Sequence, residues 1–479
     1  MKRIFYSLLI AAVILPGATA HLQARDRKPK TSKTVQAAEP VRNVILMIGD
    51  GMGQNPVKLA RVHAKLNMDA MPVKGELQTN NVFDKTTDSA AAATALACGV
   101  KTYNGALGLD KDKKPVESSA ALAKKAGYKV GLLTTVTFNH ATPAGFYAHV
   151  EKRSEYAKIA SQAYASNYDL IMGYGVSGLK EAVAAEDAEK AGLQVFNKNQ
   201  DAFFALNAIL KPTLVFKHFG YEMNRPKTDD TSRTLNEYAT EAVELLAVEK
   251  PTVITRNPGY GTPVRDAVRP LNEYTAKAIE LLYKDNPKGF FLMVEGGKID
   301  LGGHSNDTYA MMTELLEFDQ AVARALEFYK KHPEDTLIVV TADHNTGGLT
   351  LPEKLSADLP AEIAENNTNF NGRKFSFKKD ETIQSIEEKL AKLGIRNLTA
   401  AEKESFVKIL KSNSKNKIDA LNRNALRIAD ARIGITWTTK GHTPHNVYIF
   451  AIGKGAEQFS GVQPNSNVGR IMKSFYEKK

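Results

Sequence analysis

The chain contains one cysteine, Cys98, which excludes an intramolecular disulfide; it falls in an alanine-rich helical stretch, where a packed thiol is expected. No apolar run is long enough to span a bilayer. No arginine-rich cluster or nucleic-acid recognition motif accompanies the net charge of +11, so that surplus reads as solubility with mild attraction for anions. The glycine-rich IGDGMG lacks both the G-x-G-x-x-G spacing and a Walker lysine, which argues against a nucleotide-binding loop. No repeat of fixed period is visible. What is present is 479 residues, 43% hydrophobic and 24% charged, enough to bury a large core.

The first twenty residues, MKRIFYSLLIAAVILPGATA, read as a cleavable signal peptide. Lys2 and Arg3 form its basic end, residues 4–15 its apolar run, and Ala18-Thr19-Ala20 its cleavage site. Loss of Lys2 and Arg3 lowers the net charge from +11 to +9, and no cysteine follows that could carry lipid. Residues 21–40 are polar, basic and without periodicity, which reads as a disordered tether. The expected mature protein is exported and soluble, in the periplasm or secreted, with no transmembrane anchor.

Apolar, β-branched runs recur at 44–48, 130–136, 170–172, 290–294, 337–340 and 447–451, with amphipathic stretches between them. In residues 309–329, for example, Met312, Leu316, Val322 and Leu326 fall at helical spacing. Continuous apolar strands alternating with helices indicate an α/β fold whose mostly parallel central sheet is covered by helices on both faces. Residues 353–435 break this rhythm. They are charged and helical in composition, and read as a helical insertion or cap on the main domain.

In TTDSAAAATALACGVKT, residues 86–102, the alanines predict a helix over 90–97, closed by Gly99. Ser89 then stands at the helix N-terminus, either as a cap or as a reactive group. No Glu or Gln at residue 92 completes a capping box. Three other strands run into carboxylates: VILMIG into Asp50, FFLMV into Glu295 with Asp300 and His304 following, and LIVVTA into Asp343 and His344. Ligands of open parallel sheets collect at that edge, and three carboxylates there require compensating positive charge. Nearby histidines make metal ions the simplest source of it, mixed Asp and His ligation suiting zinc and an all-oxygen set suiting magnesium. Asp300 and His304 are one helical turn apart, although Gly302 and Gly303 weaken a helix and favour a turn. His442 in KGHTPHNV is a third histidine candidate, with His445 as its competitor.

IGDGMG, TTDSAAAATALACGVKT, HATPAGFYAHVEKR, FFLMVEGGKID, VTADHNTGGLTL and GHTPHNVYIFAIGKGAEQFSG follow one another in the order found in alkaline phosphatases. The chain resembles that family from about residue 42 to its end, with 175–285 and 353–435 weakly covered. The resemblance implies an alkaline phosphatase-like catalytic domain over 41–479 and hydrolysis of phosphate monoesters. It implies Ser89 as the nucleophile, passing through a phosphoserine. One zinc would be held by Asp50, Asp343 and His344, and a second by Asp300, His304 and His442. A magnesium ion would use Asp50, Thr142 and Glu295, giving two Zn2+ and one Mg2+ per subunit. Arg153 would bind the phosphoryl group, Asp88 would orient Arg153, and a homodimer is expected.

Three positions depart from common family patterns: His140 where some members have Asp, Leu301 where a polar or aromatic residue is frequent, and Pro444 where many have glycine. His140 is placed as a neighbour of the magnesium site, beyond its ligands. Two other readings stand beside the phosphomonoesterase: a phosphodiesterase or sulfatase on the same scaffold, and a non-catalytic exported protein that binds metal or phosphate. Ser89, Arg153 and Glu295 together favour monoesters, and binding alone needs no nucleophile.

Overall fold

The computed structural model describes residues 41–197, 200–216, 269–353, 377–392 and 395–477. The expected signal peptide at 1–20, the tether at 21–40 and residues 354–376 of the expected insertion lie outside the described residues. Fourteen strands are described: β1 Asn43–Gly49, β2 Val73–Gln78, β3 Lys129–Thr134, β4 Leu170–Gly173, β5 Gln194–Asn197, β6 Thr213–Phe216 and β7 Phe290–Gly296. There follow β8 Thr336–Ala342, β9 Asn345–Thr346, β10 Leu349–Thr350, β11 Thr436–Trp437, β12 His442–Thr443, β13 Val447–Gly453 and β14 Gly461–Pro464.

Ten of these form one sheet in the order β14-β2-β13-β8-β1-β7-β3-β4-β6-β5. Every pairing in it is parallel except those of β13, which runs against β8 and β2. Strands β1, β7 and β8 are buried along their whole length, as expected of strands covered on both faces. Strand β3 stops at Thr134, two residues short of the apolar run, because the chain then turns so that Val136 accepts from Tyr174 N–H through its carbonyl.

Register sets up the site. Gly49 of β1 lies opposite Ala342 of β8 and Gly296 of β7, so Asp50 and Asp343 emerge level at the carboxyl edge. Glu295 sits one row back, opposite Ile48 on one side and Thr134 on the other. Three carboxylates are therefore delivered to adjacent strand ends by the pairing itself.

The helix Ser89–Cys98 is buried at all ten positions, so its alanines serve packing as well as helix propensity. A Cβ on Gly469 would stand 2.3 Å from Gly99 N, and one on Gly145 2.7 Å from the Ala93 Cβ. Only small residues let its neighbours approach this closely. Gly99 ends the helix at φ 77°, the left-handed conformation that glycine adopts without steric cost. The Cys98 thiol is buried, and desolvation pushes its pKa up to about 12, so it stays a packed, unreactive group.

Between β10 and β11 the described residues form helices Ile383–Ala391, Ala400–Lys411 and Lys417–Arg432. They enclose a hydrophobic cluster separate from that of the sheet, built on Ile386, Leu390, Phe406, Leu421 and Ile428. Among the described residues, no helix is long and apolar enough to cross a membrane.

Candidate active site

Asp88, rather than Ser89, caps the alanine helix: its Oδ1 accepts from Ala91 N–H at 3.0 Å. The capping role left open for Ser89 is thereby corrected. Ser89 is the first helical residue, its Oγ is free of the backbone, and it lies 3.2 Å from His344 Nε2 at the positive end of the helix. Asp88 also accepts from Gly105 N–H and from Arg153 Nη1 at 3.3 Å, so one carboxylate serves both cap and guanidinium.

The helix Lys298–Ser305 forms despite its two glycines, so a helix, not a turn, presents Asp300 and His304. Tertiary packing explains the exception. A Cβ on Gly302 would be 2.6 Å from Met311 N, and one on Gly303 would be 3.0 Å from Thr346. The helix therefore docks where larger residues cannot. His304 Nε2 lies 3.2 Å from Asp300 Oδ2.

Three imidazoles converge on the carboxylates. His442 Nδ1 donates to the Thr87 carbonyl at 2.9 Å, and His304 Nδ1 to the Lys440 carbonyl. A carbonyl accepts only, so both rings carry hydrogen on Nδ1 and aim Nε2 inward. Those two Nε2 atoms face each other at 3.2 Å. Two lone pairs at that distance repel unless a cation lies between them. In the metal-free protein a proton can fill that place, and His304 is held above its ordinary pKa by its hydrogen bond to Asp300. His344 stacks on His442 with ring centroids 3.6 Å apart. His445, the competitor of His442, instead bonds Thr443 Oγ1 at 2.8 Å.

Ligand atoms of three residue sets lie within 4.8 Å of one another: Asp50, Asp343 and His344; Asp300, His344 and His442; and Asp50, His140 and Glu295. The first matches the sequence expectation. In the second His344 stands where His304 was expected, with His304 Nε2 close beside. In the third His140 joins the carboxylates themselves, closer in than the sequence placed it; its Nε2 also lies 3.1 Å from Arg153 Nη2. Thr142 Oγ1 donates to Asp50 Oδ2 at 3.3 Å, bringing it to the same corner. Leu301 is half-buried on the Lys298–Ser305 helix, and Pro444 is exposed.

Sequence reasoning missed the groups that hold these side chains. Thr134 donates to Glu295 Oε2, and Thr346 touches both Asp300 and His344. Asn104 accepts from Asp88 N–H and Asn81 while donating to the Thr86 carbonyl, fixing the loop before Ser89. Thr346 lies within VTADHNTGGLTL, while Thr134 and Asn104 lie outside the quoted motifs; in either place a hydroxyl or amide announces no chemistry until its neighbours are known.

The electrostatics are unbalanced without a cation. Burial, reinforced by the charge of Asp343, raises Asp50 well above the carboxylate range; burial pushes Asp343 up to about 7 and Glu295 up to about 8. Asp50 Oδ1, Asp343 Oδ2 and Glu295 Oε1 are buried with no hydrogen-bond partner among the described residues. Desolvation of its ring, with Arg153 alongside, pushes His140 down to about 4, leaving a neutral imidazole. Carboxylates whose folded pKa exceeds the unfolded value make the native state bind more protons, so stability falls as pH rises through the interval. The histidines lowered by burial oppose this below their ordinary value of 6.5 and no longer titrate above it. The metal-free protein is therefore expected to lose thermal stability from about pH 6.5 to about pH 9, and saturating zinc and magnesium to remove most of that slope. Calorimetry of chelated and reloaded protein checks this; a flat or rising metal-free profile overturns it.

Exposure locates the mouth. Asp50, Asp343 and His344 side chains are fully buried, whereas Arg153 is 29% and His304 40% exposed. The cluster is therefore open to solvent on the side of Arg153 and His304.

A family model described as alkaline phosphatase matches residues 41–184 and 217–478. Alkaline phosphatase 4 of Bacillus subtilis is 31% identical over 504 residues, covering 98% of this chain and 96% of its own. The crystal structure of a cold-active alkaline phosphatase from a psychrophilic Shewanella superposes with TM-score 0.68 at 29% identity, covering 91% of this chain and all of that one. A variant of the alkaline phosphatase from the Antarctic bacterium TAB5, with magnesium bound in its M3 site, gives TM-score 0.58 at 24% identity, covering 92% and 99%.

Proposed function

Since the chain belongs to the alkaline phosphatase family of phosphoric monoester hydrolases, we propose that Ser89 is the nucleophile of an exported phosphomonoesterase that acts through a phosphoserine. The observation that carries this reading is the placement of Ser89 Oγ: released from capping by Asp88, at a helix N-terminus, and 3.2 Å from His344 Nε2. Its hydroxyl oxygen attacks phosphorus as the O–H bond and the P–O bond to the alcohol break; in net balance the serine proton goes to the departing alkoxide, which leaves as the alcohol. Water then attacks the phosphoserine, the Oγ–P bond breaks, and inorganic phosphate departs with Ser89 regenerated.

The residues fit the metals expected of the family. Carboxylate oxygens, several of them unpartnered, and imidazole nitrogens form three sets, each with Asp and His; the two made of Asp and His alone suit zinc. Asp50, Asp343 and His344 would hold one zinc, and Asp300, His304 and His442 the other, with His344 at the boundary. Asp50, Glu295 and Thr142, with His140, would hold magnesium. When bound, these ions supply Lewis acidity at the attacking and departing oxygens and neutralise the carboxylates.

Arg153, its Nη1 held by Asp88 and its Nη2 beside His140, has a planar guanidinium whose fork of donors suits two phosphoryl oxygens. The helix dipole adds to that field. Because Arg153 and His304 are partly exposed, the alcohol half of the ester stays outside the pocket, which supports broad specificity. Export rests on the signal-peptide pattern of residues 1–20, and a homodimer on family resemblance.

The test is hydrolysis of a chromogenic phosphate monoester at alkaline pH beside its bis-ester and sulfate analogues, with and without chelation and repletion by zinc and magnesium. Monoester turnover at least about 100-fold above the analogues, lost on chelation and regained on repletion, is expected. Preference for the bis-ester or sulfate overturns the specificity.

A further inference from the structure

We propose that Thr346 is a positioning residue that ties the two mixed Asp-His clusters together through a single hydroxyl; this rests on the metal-bound reading above. Thr346 Oγ1 lies 2.5 Å from Asp300 Oδ1 and 3.2 Å from His344 Nδ1. Asp300 belongs to the set with His344 and His442, and His344 is also the imidazole of the set with Asp50 and Asp343.

A threonine hydroxyl has one hydrogen and two lone pairs. At 2.5 Å from a carboxylate oxygen, which accepts, that hydrogen goes to Asp300. The hydroxyl can then only accept from His344, which places the ring hydrogen on Nδ1 and leaves Nε2 unprotonated. Nε2 is the atom that faces Ser89 Oγ at 3.2 Å, Asp343 Oδ2 at 3.2 Å and Asp50 Oδ1 at 3.5 Å. His304 and His442 have their tautomers fixed by backbone carbonyls, which serve no second partner in the site. His344 differs: its anchor is a side chain that also donates to the Asp300 carboxylate.

The position leaves Thr346 no alternative. A Cβ on Gly51 would lie 2.9 Å from Thr346 Oγ1, and one on Gly303 3.0 Å from its Cβ. Both glycines thus pack closely against the side chain. Thr346 is fully buried, and β9 is held opposite β12 by backbone pairing of Thr346 with His442. Asn345 Nδ2 donates to Thr443 Oγ1 across the same pair. One two-residue ladder therefore fixes the hydroxyl, His344 and His442 relative to one another.

Outer-sphere partners of metal ligands typically contribute 10–100-fold in affinity. The Thr346→Val variant keeps the shape but strands a buried N–H on His344 and removes the donor from Asp300. Zinc binding to chelated protein is measured by competition with a chromophoric chelator for wild type, Thr346→Val and Thr346→Ser. Wild type is expected to bind zinc in two tight steps. The valine variant should weaken both by roughly 10–100-fold, and the serine variant should restore both. Circular dichroism of the metal-free proteins confirms folding, and Thr346→Ala replaces the valine variant should that one not fold. Two unchanged steps, or weakening of one step alone, overturn the bridging role while leaving the metal reading intact. A wild type without two zinc steps overturns the metal reading and this inference with it.

Discussion

Ser89→Ala is expected to lower kcat for a phosphate monoester by at least about a thousand-fold, or about 4 kcal/mol of transition-state stabilisation. The loss should be nearly pure in chemistry. Asp88 keeps its bonds to Ala91, Gly105 and Arg153, so the helix start and the guanidinium stay in place. Alanine at the first helical position costs little, and its Oγ neighbour, His344, retains its Thr346 contact. Zinc content and thermal midpoint should therefore match wild type. Acid quenching during turnover of a labelled monoester should trap phosphate on the wild-type protein and none on the variant. Labelled variant protein, or turnover within tenfold of wild type, would falsify the assignment of Ser89.

Asp50→Asn should move activity and metal-free stability in opposite directions. Asp50 belongs to two of the three candidate metal sets, one through His344 and Asp343 and the other through Glu295 and His140. Asparagine keeps the shape but offers neither set a negative charge. Outer partners alone are worth 10–100-fold in metal affinity, so loss of a direct ligand should exceed about 100-fold and carry turnover down with it. Without metal the same change removes one of several buried like charges, a charge whose ionisation burial already opposes. The chelated variant should therefore melt above chelated wild type at pH 8, while the zinc-loaded variant melts below its wild-type counterpart. Metal titration and calorimetry in parallel read both signs; equal shifts in the two states would mean that Asp50 acts as a packing group.

The sequence displayed the site more fully than the sheet. Runs such as VILMIG and TLIVVTA are legible because a strand buried on both faces has no polar positions to interrupt it. β2, VKGELQ, is half-exposed, contains a glycine and two charges, and is paired on both sides only because β13 and β14 return to it. Nothing local announces such a strand. β5, β6 and β14 have four residues each, too short for any period to emerge. The carboxylates are legible because each directly follows an apolar strand run, and like charges at one sheet edge pose an electrostatic problem. For Asp300 and His304 the sequence leaves helix and turn both open, since propensity weighs about 1 kcal/mol against each glycine; the close-packed seat against Met311 decides for the helix. Ser89 was read as a possible cap because the sequence offers Asp88 and Ser89 side by side; which of them accepts from Ala91 is decided by where the helix starts.

Thr350 and Thr436 stand opposite each other in the antiparallel pair of β10 and β11, as do Leu349 and Trp437. The polypeptide thus leaves the catalytic scaffold and rejoins it through one doorway. Whatever lies between two such abutting ends makes little geometric demand on its host, because the stem has already paid the entropy of closing the loop. The intervening helices carry a hydrophobic centre of their own, so their residues answer to one another before they answer to the sheet. A change in the length of this segment is therefore expected to leave Asp343 and His442, which flank its stem on either side, in place.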